Sequence, residues 1–259
     1  MNEANAILAI SYRDLLKLLR DIPRIVSTLI FPLLFIGILG GSLQSNLGAN
    51  AGYNFLTFVF TGILAQTLFQ STAIGIVSLI DDRANDFSQE IFVSPISRYS
   101  IIFGKILGEA LVAFPQGTAI VIFGFIVGVP IALQQMLGLL AMGLVICLFG
   151  GAFGVVLLSG FNNRRTADEI FPFILFPQYF TAGVFVPIKV LPPYLEILSR
   201  ISPMRYVVDL MRHVFYWGQP EYAAVTLDPI WLDAAVIAVT FLVFLVIGTA
   251  LFVRNERNR

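Results

Sequence analysis

Few residues in this 259-residue chain could do chemistry, and their spacing limits what that chemistry is. Lys105 and Glu109 stand four apart, on one helical face, and Glu109 is the one acid well inside an apolar stretch; Asp233 lies at the edge of another. An ionisable group at membrane depth costs about 2.5–3.5 kcal/mol on insertion scales unless paired or hydrated, and so invites a functional reading. The pair reads either as an intrahelical anchor reaching back to water or as a polar wall of a path through the membrane. His213 and Cys147 are the sole His and Cys. One of each leaves no material for a disulfide, a thiolate cluster, a usual zinc site or a nucleophile–base set, and there is no H-E-x-x-H. Nor does G-x-x-x-x-G-K-[ST] occur, so the chain has no nucleotide-binding loop of its own. Sixteen basic residues balance sixteen acidic ones, which leaves no nucleic-acid footprint. The expectation is a protein that is not an enzyme and itself binds no metal or cofactor.

The elements that position these residues are membrane spans. Hydrophobic residues make up 58% of the chain and charged ones 12%, about half the ordinary share of charge. Ile25–Ile80 and Ala110–Asn163 are free of acids and bases over 56 and 54 residues, and since about 20 apolar residues cross a bilayer, each holds two crossings. Turns are expected at Gln44–Asn50 and at Gly128–Pro130 with Gln134–Gln135. Single crossings follow near Ile170–Ile188 and Ile230–Val253, and the third span begins near Ser100. The fold class is therefore an all-α integral membrane protein with six transmembrane helices. Twelve of the sixteen basic residues fall in one set of segments, the N-terminus to Arg24, Asp81–Lys105, Asn162–Glu169 and the C-terminal tail, which places both termini in the cytoplasm. The charged N-terminus, with its interrupted apolar stretch, does not read as a cleavable signal.

Residues 1–24 do not span. Arg13, Lys17, Arg20 and Arg24 are spaced 4, 3 and 4 and would share one helical face, with Leu8, Leu15, Leu16 and Leu19 largely on another. That pattern suits an amphipathic helix in the interface, its basic side toward headgroups or protein, or else a charged leader serving topology. A span domain over 25–253 and a tail over 254–259 complete the organisation. Between spans two and three, Asp82, Asp86 and Glu90 recur every fourth residue beside an apolar stripe of Phe87 and Ile91, and Ser94-Pro95 ends the helix. The segment reads as a docking element or as a solvated helical loop. Pro172 and Pro177 in the fifth span, with Gln178 and Tyr179 adjacent, suggest a broken helix exposing polar backbone near a path, although Pro172 could sit in a first turn. Phe31, Phe35, Phe58, Phe69 and Phe180 could line a lateral opening or simply pack. Glycines four apart, such as Gly104/Gly108 and Gly150/Gly154, permit close helix approach. The stretch Lys189–Pro229 is too charged to cross and reads as two amphipathic helices hinged at Ser202-Pro203, a partly re-entrant cap or a passive collar, with His213 on its surface.

Three motifs in order resemble the membrane subunits of ABC transporters of the type-2 permease class, particularly the bacterial drug- and lipid-exporter branch. They are Arg20-Asp21-Ile22-Pro23; Glu90-Ile91-Phe92-Val93-Ser94-Pro95-Ile96-Ser97-Arg98 followed by Gly104-Lys105; and Gly183-Val184-Phe185-Val186-Pro187 with Ser202-Pro203-Met204-Arg205-Tyr206-Val207-Val208-Asp209. The resemblance implies a permease in the bacterial inner membrane that moves an amphipathic small molecule, drug or lipid outward. A lipid-linked glycan is the alternative cargo within that class, and an ion-coupled secondary transporter using Lys105 and Glu109 the alternative outside it. The implied partners are two copies of a separate ATP-binding cassette subunit, which carries ATP and Mg, a second permease chain, identical or homologous, and membrane lipid. The coupling helix would include Arg83, Asp86, Phe87, Glu90, Ile91 and Arg98, and the N-terminal helix would be the connecting helix touching the same partner. Pro203 and Arg205 would belong to an external gate, with Lys105, Glu109, Gln178, Tyr179 and Phe180 as path candidates.

Overall fold

The computed structural model describes residues 3–20, 22–48, 52–84, 97–161, 163–190 and 192–257, and these residues are mostly helical with no strand among them. α1 is Glu3–Leu19, α2 Ile22–Leu34, α3 Gly41–Leu47, α4 Phe55–Gly75, α5 Ser78–Ala84, α6 Arg98–Ile126, α7 Leu133–Leu158, α8 Arg164–Thr181, α9 Pro193–Ile201, α10 Pro203–Phe215, α11 Tyr222–Val225 and α12 Ile230–Arg257. A π-helical turn, Phe35–Gly40, joins α2 to α3 three residues after Pro32, whose missing N–H already weakens the helical ladder there. Side-chain oxygens open three of the long helices: Asn54 accepts from the Thr57 amide at 3.1 Å, Ser97 from Tyr99 at 3.3 Å and Asn163 from Arg165 at 3.0 Å.

Among the described residues, five helical stretches are long and apolar enough to cross a membrane: Ile25–Leu47, Phe55–Ile80, Arg98–Ile126, Leu133–Leu158 and Ile230–Arg254. α8 differs from the expected fifth crossing. It starts at Arg164 and stops at Thr181, and Arg164, Arg165, Asp168 and Glu169 occupy its first two turns. The helix is also unbroken. Pro172 is its ninth residue, well past the first turn, and the backbone runs helically through both prolines. Gln178 Nε2 donates to the Ile174 carbonyl at 3.1 Å and Thr181 Oγ1 to the Pro177 carbonyl at 3.2 Å, so side chains serve carbonyls around the second proline.

α4 is the hub. Its apolar residues are spread over every face, as suits a helix enclosed by others, and it packs on α6, α7 and α10. Gly150 and Gly154 on α7 lie directly against the α4 backbone at Phe69 and Ala73, an approach that a Cβ would prevent. α10 is not a surface collar. Met204, Val207, Val208, Met211 and Phe215 join the main core with Phe58, Phe60 and Ile63 of α4. The hinge before it is Ser202, extended at φ −72°, ψ 117°, followed by Pro203 in the first position of α10.

α1 and α2 correct the N-terminal expectation. The helix ends at Leu19 and a new one starts at Ile22, so Arg24 belongs to α2, Arg20 follows the end of α1, and the four basic residues do not stand on one continuous helix. Instead α1 lies along α6, burying Ala6, Ile10, Ser11 and Asp14 while Leu8 and Tyr12 stay exposed. Gly104 and Gly108 make this possible, because a Cβ at either would sit 3.1–3.2 Å from the Cα of Ile7 or Ser11.

Candidate functional site

At the α1 end, six charged groups gather at the foot of α6. Lys105 Nζ lies 2.7 Å from Asp14 Oδ2, 3.3 Å from Glu109 Oε1 and 3.4 Å from Asp82 Oδ2. Asp82 Oδ2 also takes Arg13 at 2.6 Å, Asp82 Oδ1 takes Lys17 at 3.3 Å, and Arg13 reaches Asp14 Oδ1 at 2.9 Å. Three cations face three carboxylates. Ser78 Oγ donates to Glu109 Oε1 at 3.0 Å, and Ser11 Oγ donates to the Gly104 carbonyl at 2.9 Å. Burial by itself pushes the Asp82 carboxyl up, but Lys105, Arg13 and Lys17 outweigh it and hold the group below the usual carboxylate range. Arg13 is likewise raised: burial disfavours its charge, and Asp14 and Asp82 overcome that. Lys105 is only 2% exposed, so it does not reach back to water. The i,i+4 contact with Glu109 exists, but within a knot joining α1, α5 and α6.

This knot flanks the expected coupling segment. Asp86, Phe87, Glu90 and Ile91 lie outside the described residues, as does the side chain of Arg83, whose backbone continues α5. Arg98 is described, and it opens α6 rather than closing a preceding helix. Just before it, the Ser97 amide donates to Glu3 Oε1 at 3.1 Å. Both shoulders of residues 85–96 are therefore tied to α1, through Asp82 on one side and Ser97 on the other.

A cavity of about 450 Å³ opens between α2, α4, α6 and α8, lined by Phe31, Gln66, Gln70, Ser71, Gln116, Phe176 and Tyr179 among others. Its described lining offers hydroxyls, amides and aromatic rings, with no acid or base among those residues. The Tyr179 hydroxyl donates to Gln70 Oε1, Gln66 Nε2 donates to the same oxygen at 3.4 Å, and Gln66 Oε1 is buried without a hydrogen-bond partner. Tyr179 thus lies on the cavity, while Gln178 turns away, accepting from Ser202 Oγ at 3.2 Å at the α9–α10 hinge. Phe180 is exposed beside Phe176 and Phe185. Phe31 lines the cavity rim and stacks on Phe35 at 4.1 Å, but Phe58 and Phe69 are fully buried, Phe69 against Phe149 and Phe153, and line no opening.

The far end of the bundle holds a second buried polar group. Arg205 donates to Ser199 Oγ at 3.1 Å and pairs with Asp228 at 2.8 Å. Arg212 donates to the Gly183 carbonyl at 2.7 Å, where Gly183 adopts φ +72°, and its guanidinium lies 3.6 Å from the Phe58 ring centroid. His213, expected on the surface, is 1% exposed between Asp209, Tyr222, Asp228 and Asp233. Burial alone would lower its pKa; the Asp233 and Asp209 carboxylates outweigh that and hold it above the ordinary histidine value.

Sequence reasoning did not single out Ser11, Asp14, Gln66, Gln70, Gln116 or Asp228. A signal existed for the first two: Ser11 and Asp14 interrupt the apolar face of α1 three residues apart, opposite a Gly-x-x-x-Gly foot that encloses Lys105.

Comparisons with known proteins fit this architecture. The profile of the ABC-2 type transporter family matches residues 5–216. A transport permease, ycf38, of Cyanophora paradoxa is 25% identical over 195 residues, covering 74% of this chain and 67% of that protein. The inner membrane transport permease YadH of Escherichia coli K12 is 24% identical over 201 residues, covering 73% and 76%. ABC transporter G family member 20 of Dictyostelium discoideum is 23% identical over 214 residues, 81% of this chain but 28% of that longer protein.

Proposed function

This chain belongs to the ABC-2 type transporter family, and we propose that it is the membrane half of an ATP-driven exporter, moving an uncharged, hydrogen-bonding amphiphile out of the cell across the inner membrane. The motor is a separate ATP-binding cassette subunit, two per complex, and a second permease chain completes the path. On this reading α8 is a sixth crossing, its charged first two turns in the cytoplasmic interface. The α1 end is cytoplasmic, in line with twelve of sixteen basic residues on the segments assigned to that side.

The observation that carries the proposal is that Asp82 and Ser97, which flank residues 85–96, are both tied to α1. A partner that grips this segment cannot move it without loading Asp82 and Ser97, and through them α1 and the Lys105 knot on α6. Since buried ion pairs yield only at a cost of several kcal/mol, the knot favours moving α1, α5 and the foot of α6 as one body. The cavity supports the cargo class. Its aromatic rim suits an apolar body and its glutamines suit hydroxyl or amide groups, whereas a formal charge would find no counter-charge there.

The test is reconstitution with the partner ATPase and a screen of uncharged amphiphiles for stimulated hydrolysis. Glu90→Lys is expected to insert normally and to lose stimulated ATPase and efflux together. Unchanged stimulation and efflux in that variant would refute the docking role, and uphill transport by this chain without an ATPase would refute the proposal as a whole.

A further inference from the structure

The Asp209–His213–Asp233 cluster has the composition of a metal-ligand set, and its His213–Asp233 separation suits one. One ligand atom from each residue lies within 4.8 Å of the others. His213 Nε2 is 3.3 Å from Asp233 Oδ2 and 3.8 Å from Asp209 Oδ2. A charge-assisted N–H···O bond closes to about 2.7–2.9 Å, so both are long for hydrogen bonds. Two ligands bound to one ion at about 2.0–2.2 Å in tetrahedral geometry stand roughly 3.3–3.6 Å apart. Asp233 supplies an independent observation. It is 0% exposed, and neither of its oxygens has a hydrogen-bond partner. A buried carboxylate without a donor keeps its full desolvation cost unless a cation offsets it.

The surroundings suit a metal ligand set. Asp209 Oδ2 accepts from the Leu227 and Asp228 amides at 3.0 and 2.9 Å, which fixes it in place. His213 Nδ1 meets the Tyr222 hydroxyl at 2.6 Å, the outer hydrogen bond that orients a ligating imidazole. The Asp228 side chain is engaged by Arg205 at 2.8 Å, and its carbonyl oxygen, 2.8 Å from His213 Nε2, holds the imidazole in place by a hydrogen bond in the metal-free site.

We propose that Asp209, His213 and Asp233 bind one divalent transition-metal ion, zinc foremost, with an open fourth position. Before binding, Nε2–H donates to the Asp228 carbonyl. On binding, the Nε2 proton is released to solvent, the ring keeps its Nδ1 proton and donates it to the Tyr222 oxygen, and the freed Nε2 lone pair turns to the metal. Two carboxylates and one divalent ion make the site neutral. The ion would clamp the first turn of α12 to α10, whatever the chain transports.

The chain has one His and one buried Cys, so tag-free protein offers little competing soft-metal binding. The test is chelator stripping of the purified protein, addition of Zn(II), Mn(II) or Ca(II), and measurement of metal content and affinity after gel filtration. One zinc per chain is expected, bound more tightly than manganese or calcium. Asp233→Asn is expected to weaken zinc affinity about 100-fold or more, and Tyr222→Phe about 10–100-fold. His213→Gln serves as the second ligand variant should Asp233→Asn fail to fold. Wild-type protein that binds no zinc, or zinc binding that survives both ligand substitutions, would overturn the proposal and leave His213 as an imidazolium between carboxylates; neither result bears on ATP-driven transport.

Discussion

The two buried charge clusters at opposite ends of the bundle solve the same problem differently. At the α1 end, Arg13, Lys17 and Lys105 meet Asp14, Asp82 and Glu109 in equal number, with contacts of 2.6–3.4 Å. At the α10 end, Asp209 draws on backbone amides and Asp233 has no hydrogen-bond donor. The first cluster is complete as folded. In the second, Asp233 faces His213 at 3.3 Å, yet neither of its oxygens has a hydrogen-bond partner. Burial alone therefore does not tell a structural ion pair from a binding site; the distinction lies in whether every lone pair has a donor.

The comparison breaks most sharply at Lys105. Lys105→Met removes the central cation and leaves Asp14 and Glu109 buried together, so a loss of about 3–5 kcal/mol is expected in thermal or denaturant unfolding. An unchanged midpoint would mean that the cluster is hydrated rather than closed. Asp82→Asn should cost less, about 1.5–3 kcal/mol, because Asp82 is partly exposed and Arg13 retains Asp14. Its pH dependence has a definite sign. The folded pKa of Asp82 is depressed, so its contribution is full above the ordinary value of 3.8 and is lost as pH falls through the folded value. The wild-type and Asp82→Asn stability curves should run apart through neutral pH and converge only in acid below about 4. Convergence above pH 5 would contradict the depressed pKa.

At the other end the sign should differ. In chelator-treated protein, Asp233→Asn removes a buried charge that lacks a donor and is expected to change stability by less than about 1 kcal/mol, in either direction, whereas with zinc present the same substitution should lower the melting temperature clearly. A large loss in the stripped protein would show that Asp233 is already paired. Lys17→Ala gives the smallest effect, about 0.2–1 kcal/mol, since Lys17 is 62% exposed and its 3.3 Å contact with Asp82 is screened by solvent and salt.

Much of the bundle was legible in the chain. The two long uncharged stretches mark four crossings, the Leu/Val-rich run after Ile230 marks the last, and Ser202-Pro203 marks the hinge. Each signal is local, carried by hydropathy or by the backbone limits of proline. α8 was harder to read because its first two turns are charged and its prolines mimic a break, while Gln178 and Thr181 supply side-chain bonds within the helix. The N-terminal basic face was misplaced for a related reason: a 4-3-4 spacing keeps one face only while the helix continues, and this one stops at Leu19.

The partners of the charged groups lay beyond local reading. Lys105 and Asp14 are separated by 91 residues and meet because Gly104 and Gly108 let α1 lie flush on α6. His213 meets Asp233 because α10, amphipathic by sequence, folds into the bundle against α4 and α12 rather than lying on a surface. Composition and periodicity decide which segments leave water. Which buried charges then find a donor, a counter-charge or neither depends on how helices cross, and that is set by close packing between residues far apart in the chain.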